Sequence, residues 1–169
     1  MELSGRLLVA LPLLVEDTFR RTVVLVLRHD AEEGAVGLVL NRPTATLLAH
    51  ALPRWDDRAA EPAVLFVGGP VEQGLAIAIG AATTGVETID LDEDPALLGD
   101  RAVRVFAGYA GWSPGQLEAE IDHGAWAVVP AEPGDAFRPD ADDLWATVLA
   151  RQPEPLRRLA FLPDDLSVN

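Results

Sequence analysis

Apolar residues in this chain fall into short runs of four to seven positions separated by polar or glycine-containing turns, a strand pattern. Val23-Val24-Leu25-Val26-Leu27 has no polar interruption, as expected of a strand covered on both faces. The runs predict strands over 6–10, 22–28, 36–40, 64–67, 75–79, 102–107 and 125–129. Asp30-Ala31-Glu32-Glu33-Gly34 is a polar segment ending in glycine and predicts a hairpin between the second and third strands.

Helical spacing is rarer. Leu47, Leu48, Ala51 and Leu52 recur at helical intervals after Asn41-Arg42-Pro43. Asp94 followed by Pro95 predicts a capped short helix, because proline lacks the N–H that a first helical residue leaves unpaired anyway. Leu144, Trp145, Val148 and Leu149 predict another helix, capped by Asp140 and ending before Pro153. Strands that do not alternate regularly with helices indicate an α+β fold: one compact domain over 1–169, with a mixed, partly closed β-sheet or barrel flanked by a few helices.

The segment 102–129 is the most legible. Its strand runs into Gly108-Tyr109-Ala110-Gly111-Trp112, read here as a Gly-rich loop, and Ser113-Pro114-Gly115-Gln116 opens a helix. Ser113 suits the N-cap, Gln116 completes a capping box, and Trp112 with Leu117 form a hydrophobic staple. Gly124 is the left-handed stop. Gly111-Trp112-Ser113-Pro114-Gly115 matches the G-x-S-x-G nucleophile elbow literally. Its chemistry fails, because Pro114 has no N–H for an oxyanion hole and His123 lies on the same helix, too far along it to reach Ser113.

Composition narrows the chemistry further. There is no cysteine, and all thirteen basic residues are arginine, so thiolate nucleophiles, Cys-ligated zinc and Schiff-base lysine chemistry are absent. The net charge of −14 argues against direct nucleic-acid binding. Residues 1–58 carry seven Arg against eight Asp/Glu, whereas the remainder carries six against nineteen. An anionic ligand is therefore least disfavoured near Arg20, Arg21, Arg28 and Arg42. The apolar run Leu7 to Val15 is broken by Pro12 and falls far short of a membrane span, which predicts a buried strand in a cytoplasmic protein. Asp90, Asp92 and Asp94 begin like an EF-hand, but Pro95 and Arg101 occupy its glycine and glutamate positions. No metal or cofactor is expected.

Several segments taken in order resemble the AlgH/YqgE family. They are Gly5-Arg6-Leu7-Leu8-Val9-Ala10, Phe19-Arg20-Arg21-Thr22-Val23-Val24-Leu25, and Gly34 to Pro43 with its Val39-Leu40-Asn41-Arg42-Pro43 end. Gly68-Gly69-Pro70-Val71, Gly108 to Trp112 and Gly115-Gln116-Leu117-Glu118 follow. The resemblance spans roughly residues 5–130 and implies a bacterial, cytosolic α+β protein of uncharacterised activity. Some members carry a transcriptional-regulator label. The family supplies no catalytic residues to carry over.

From the residues themselves, the leading expectation is a non-catalytic binding or regulatory module. Its candidate site lies where three segments meet: Asn41 and Arg42, Gly68, Gly69 and Pro70, and Tyr109 to Trp112 with Gly111 between them. The ligand expected is a small anion or a protein partner. The alternative is an enzyme on a small phosphorylated or nucleotide substrate, with Arg42 and glycine amides holding the anion and Glu118 as general base. A further alternative is a protein-interaction domain using the acidic carboxy-terminal half, possible as a homo-oligomer.

Overall fold

The computed structural model describes residues 1–164. Nine strands form one mixed sheet that closes into a half-barrel. They are β1 (Leu7–Ala10), β2 (Val23–Asp30), β3 (Gly34–Val39), β4 (Pro43–Leu47), β5 (Val64–Val67), β6 (Val71–Ala81), β7 (Val86–Ile89), β8 (Val103–Trp112) and β9 (Trp126–Val129). The order is β4-β5-β8-β3-β2-β1-β9, with β6 also paired to β8 and β7 paired to β6. Short α-helices are α1 (Leu48–Ala51), α2 (Gln116–Asp122), α3 (Leu144–Ala150) and α4 (Leu156–Leu159). None among the described residues is long and apolar enough to cross a membrane.

Alternation along β1 and β2 sorts the core onto two faces. Leu7, Val9, Val23 and Leu25 join Phe66, Phe106 and the α3 residues Leu144, Trp145, Val148 and Leu149 inside the half-barrel. Leu8, Ala10, Val24 and Val26 face the other way, onto Trp112, Leu117 and Trp126 under α2. The uninterrupted apolar run in β2 follows from this double coverage. The β2–β3 hairpin forms as its turn chemistry predicts: Asp30 Oδ1 accepts from the Glu32 and Glu33 N–H groups, and Gly34 takes a φ of 95°.

Several local expectations are corrected. Glycine normally ends a strand, yet β8 continues through Gly108-Tyr109-Ala110-Gly111-Trp112, so this segment is not a loop. β4 and β7 are strands that the apolar pattern did not mark, since both are short and lie at sheet edges. Leu47 ends β4, leaving the predicted helix there as the single turn α1. α2 starts from a left-handed Gly115, and Ser113 does not cap it; Gln116 Oε1 instead accepts from the Ser113 N–H, which is half of the capping box. Asp140 likewise pairs with Arg138 and leaves α3 without a side-chain cap. The Asp94 cap forms as predicted.

Arginine acts as a main-chain clamp throughout. Arg104, 2% exposed, donates to the Glu61, Ala136 and Arg138 carbonyls and stacks on Phe66, with its guanidinium carbon 4.3 Å from the ring centroid. Burial lowers its pKa to about 10, so it remains charged at neutral pH. Arg21 donates to the Leu162 and Pro163 carbonyls and lies over Trp145, tying the carboxy-terminal segment to the sheet. A planar guanidinium with five donors can hold several carbonyls at once, which an ammonium point charge does less well.

Candidate functional site

β8 changes neighbour halfway along, and the candidate site lies at that change. β5 runs parallel to β8 as far as Val67 opposite Ala107, while β3 runs antiparallel to it from Ala35 opposite Trp112 to Gly37 opposite Ala110. The two strands approach each other along β8, and Gly68 bridges them: its N–H donates to the Ala107 carbonyl and its own carbonyl accepts from the Val39 N–H. Beyond that bridge both chains leave this edge of β8: β3 follows β2, with Val39 opposite Val24, and the chain after Gly69 crosses to the other edge of β8 as β6. A strand edge abandoned in this manner leaves a crevice, the kind of place where sheet proteins bind ligands.

Glycine makes this crossing possible. A Cβ on Gly68 would overlap the Gly108 carbonyl, and one on Gly69 would overlap the Tyr109–Ala110 peptide. Gly108, at φ 74°, bulges β8 toward Gly69 and Val71. On the other edge six residues of β6, from Val71 to Ala76, span only three of β8, from Tyr109 to Ala107. Glu72 to Leu75 therefore arch outward and are exposed. The two glycine motifs, forty residues apart in sequence, lie backbone against backbone.

The resulting cleft has a volume of about 390 Å³. Val39, Pro43, Val67 and Pro70 supply apolar walls, and Asp17, Thr18, Arg42 and Gln73 supply polar groups. Arg42 Nη2 donates to the Asp17 and Arg20 carbonyls, at 3.0 and 2.7 Å, fixing the loop before β2. Its Nε and Nη1 have no hydrogen-bond partner among the described residues. They reach solvent, because Arg104 Nε is the buried side-chain polar atom left unpaired there. Backbone strain collects around this cleft. Among the described residues, the non-glycine positions with positive φ are Arg21, beside the Arg20 carbonyl that Arg42 holds, and Glu72, beside Gln73. Strain of this kind persists where the surroundings over-determine it, commonly at functional sites.

The structure brings only part of the predicted site together. Arg42 and Gly69 share the cleft, and Gly68 shapes it from beneath. Asn41 is buried and structural: its Oδ1 accepts from the Val23 N–H and its Nδ2 donates to the Arg21 carbonyl. Tyr109 packs against the interior core, and Gly111 is exposed on β8. Trp112 is 5% exposed and belongs to the core under α2, where its indole and that of Trp126 both donate to Glu120 Oε1. Pro70, expected with Gly68 and Gly69, also lines the cleft, whereas Asp17, Thr18, Pro43 and Gln73 were not anticipated, since no local pattern connects them.

Glu118 stands elsewhere. It pairs with His29 at the Gly34–Ala35 end of β3, whereas Arg42 follows the other end of that strand. The His29 hydrogen bond is the main cause holding its carboxyl below the usual carboxylate range. A general base needs the opposite shift and reach to the ligand. Glu118 is therefore not placed to act as a base beside Arg42, contrary to the sequence-based expectation. Among the described residues there is also no group of three or more potential metal ligands.

A family model described as AlgH-like matches residues 7–157. The chain belongs to the AlgH-like family. It is 46% identical over 185 aligned positions to a UPF0301 protein of Streptomyces avermitilis, covering 99% of this chain and 95% of that protein. A UPF0301 protein of Streptomyces coelicolor is 45% identical at the same coverage. The crystal structure of a Corynebacterium diphtheriae protein superposes with a TM-score of 0.89 at 30% identity, covering 96% of this chain and 93% of that one. The solution structure of AlgH from Pseudomonas aeruginosa superposes with a TM-score of 0.68 at 28% identity, over 98% and 96% of the two chains. In this chain the AlgH-like fold is thus a mixed half-barrel sheet with a few short helices.

Proposed function

We propose that this AlgH-like chain is a non-catalytic, cytoplasmic binding module whose site is the Arg42–Gly69 cleft. One observation carries the reading: Arg42 is fixed by two carbonyls, lines the cleft, and keeps two nitrogen donors open to solvent. A preorganised, partly desolvated guanidinium above apolar walls is suited to an acidic group on a small molecule. An influence on transcription, the label some family members carry, would then run through a ligand-dependent contact and not through DNA, given the charge of −14.

Native mass spectrometry of the purified chain, paired with thermal denaturation against a metabolite panel, tests this. A retained small molecule, or a melting temperature raised by a panel member and not raised in Arg42→Gln, is the expected result. A clean apo mass with no stabilisation by any member would end the reading.

A further inference from the structure

The charge balance of the cleft restricts what it can hold. Its charged lining residues are one cation, Arg42, and one anion, Asp17, and the two side chains form no ion pair with each other. The Asp17 carboxylate is exposed and makes no hydrogen bond among the described residues, since it is the Asp17 main chain that Arg42 grips. The cleft therefore presents a positive and a negative group to the same ligand, with no net charge of its own.

A phosphate suits this arrangement poorly. Phosphate sites on glycine turns use successive free main-chain N–H groups. Here the Gly68 N–H is committed to the Ala107 carbonyl, and Pro70 has no N–H. The single guanidinium has one nitrogen already bonded to two carbonyls, and a dianion would also meet the Asp17 carboxylate at like charge. Both forked edges of the guanidinium include the committed Nη2, so a ligand oxygen is met by Nη1 or Nε singly. This suits a singly charged carboxylate better than a phosphate dianion, which needs several donors.

The rest of the lining adds two requirements. Pro43, Val67 and Pro70, which are half-buried or exposed, offer an apolar wall that an apolar side chain can cover. Gln73 Nε2 donates to the Gly69 carbonyl at 3.3 Å, which fixes the carboxamide and leaves its Oε1 as a free acceptor, suited to a peptide N–H.

Resting on the small-ligand reading above, we propose that the cleft binds a zwitterionic aliphatic amino acid or short peptide. Its carboxylate lies on Arg42, its ammonium on Asp17 and its side chain against Pro43 and Val67.

Amide NMR titration of the whole chain tests this with leucine and the dipeptide Leu-Leu. Leucinamide, N-acetylleucine, inorganic phosphate and adenosine monophosphate serve as contrasts. Leucine or Leu-Leu should move the Gly69 and Gln73 resonances, with the amide and the N-acetyl compound binding about ten times more weakly or worse. Asp17→Asn, which disturbs no internal hydrogen bond, should erase the difference between leucine and N-acetylleucine while leaving that between leucine and its amide. Binding of phosphate or the nucleotide at Gly69 in preference to both zwitterions would overturn the amino-acid assignment and leave the small-ligand reading standing. Shifts in neither set, with a clean apo mass, would overturn both.

Discussion

The α2 side of the sheet and the Arg42 cleft contain similar ingredients, glycines beside aromatic or proline residues together with carboxylates and cations, but use them differently. On the α2 side the polar side chains are answered from within the chain. Glu118 holds His29, Glu120 holds two indoles and the Gln116 carboxamide, and Gln116 reaches back to Ser113. At the cleft Arg42 keeps two donors, Asp17 keeps its carboxylate and Gln73 keeps its acceptor. Polar groups already paired inside a fold have little to give a ligand. Fixed polar groups that remain open are where binding energy can come from.

The sharpest way to break this comparison is within the glycines, which look equivalent in sequence. Gly69→Ala would drive a methyl group into the Tyr109–Ala110 peptide and should destabilise the chain by about 3 kcal/mol. Gly111→Ala meets only ordinary contacts, at 3.6 and 3.9 Å, and should change stability by about 0.5 kcal/mol or less. Urea denaturation of the two variants side by side checks this, and equal losses would refute the close crossing.

The two arginine clamps provide the next contrast. Arg104→Gln strands three carbonyls around a buried position and should remove about 2 to 3 kcal/mol. Arg42→Gln releases two carbonyls of an exposed loop, where water can replace the guanidinium, and should remove about 1 kcal/mol. Melting temperatures without ligand measure both. A larger loss at Arg42 would make it chiefly a structural residue.

The smallest effect concerns pH. Glu118 titrates below its ordinary value in the folded chain, chiefly because of His29. Its contribution is therefore present above the unfolded carboxylate pKa and is lost as pH falls through the depressed folded one. Between about pH 6 and about pH 3, the wild type should lose more stability than Glu118→Gln. Identical acid profiles in urea titrations would show that the pair contributes nothing.

How much of this was legible depended on how local the signal was. The β2–β3 hairpin, the Asp94 cap and the Gly124 stop each rest on residues a few positions apart, and the structure has them. Trp112 carried two readings, staple and ligand contact. Its packing with Leu117 in one core cluster is there, but with Gly115 at the N-cap neither residue stands at a staple position. The extension of β8 through Gly108 was not legible, because the reason for that glycine is Gly69, on another part of the chain. For Glu118 the helical pattern announced an exposed carboxylate, while its partner His29 stands 89 positions earlier. Arg42 was found as a candidate, but Asp17 and Gln73 become its neighbours only when β3 and β5 meet on β8.

That meeting has a consequence for synthesis on the ribosome. β3, β5 and β6 all complete their pairing on β8, which begins at Val103. Until that strand emerges, the first hundred residues carry three open sheet edges, including the apolar β5 and the second half of β6. The nascent chain cannot settle strand by strand as it appears. It must keep those edges from pairing with other chains until one late segment closes them together.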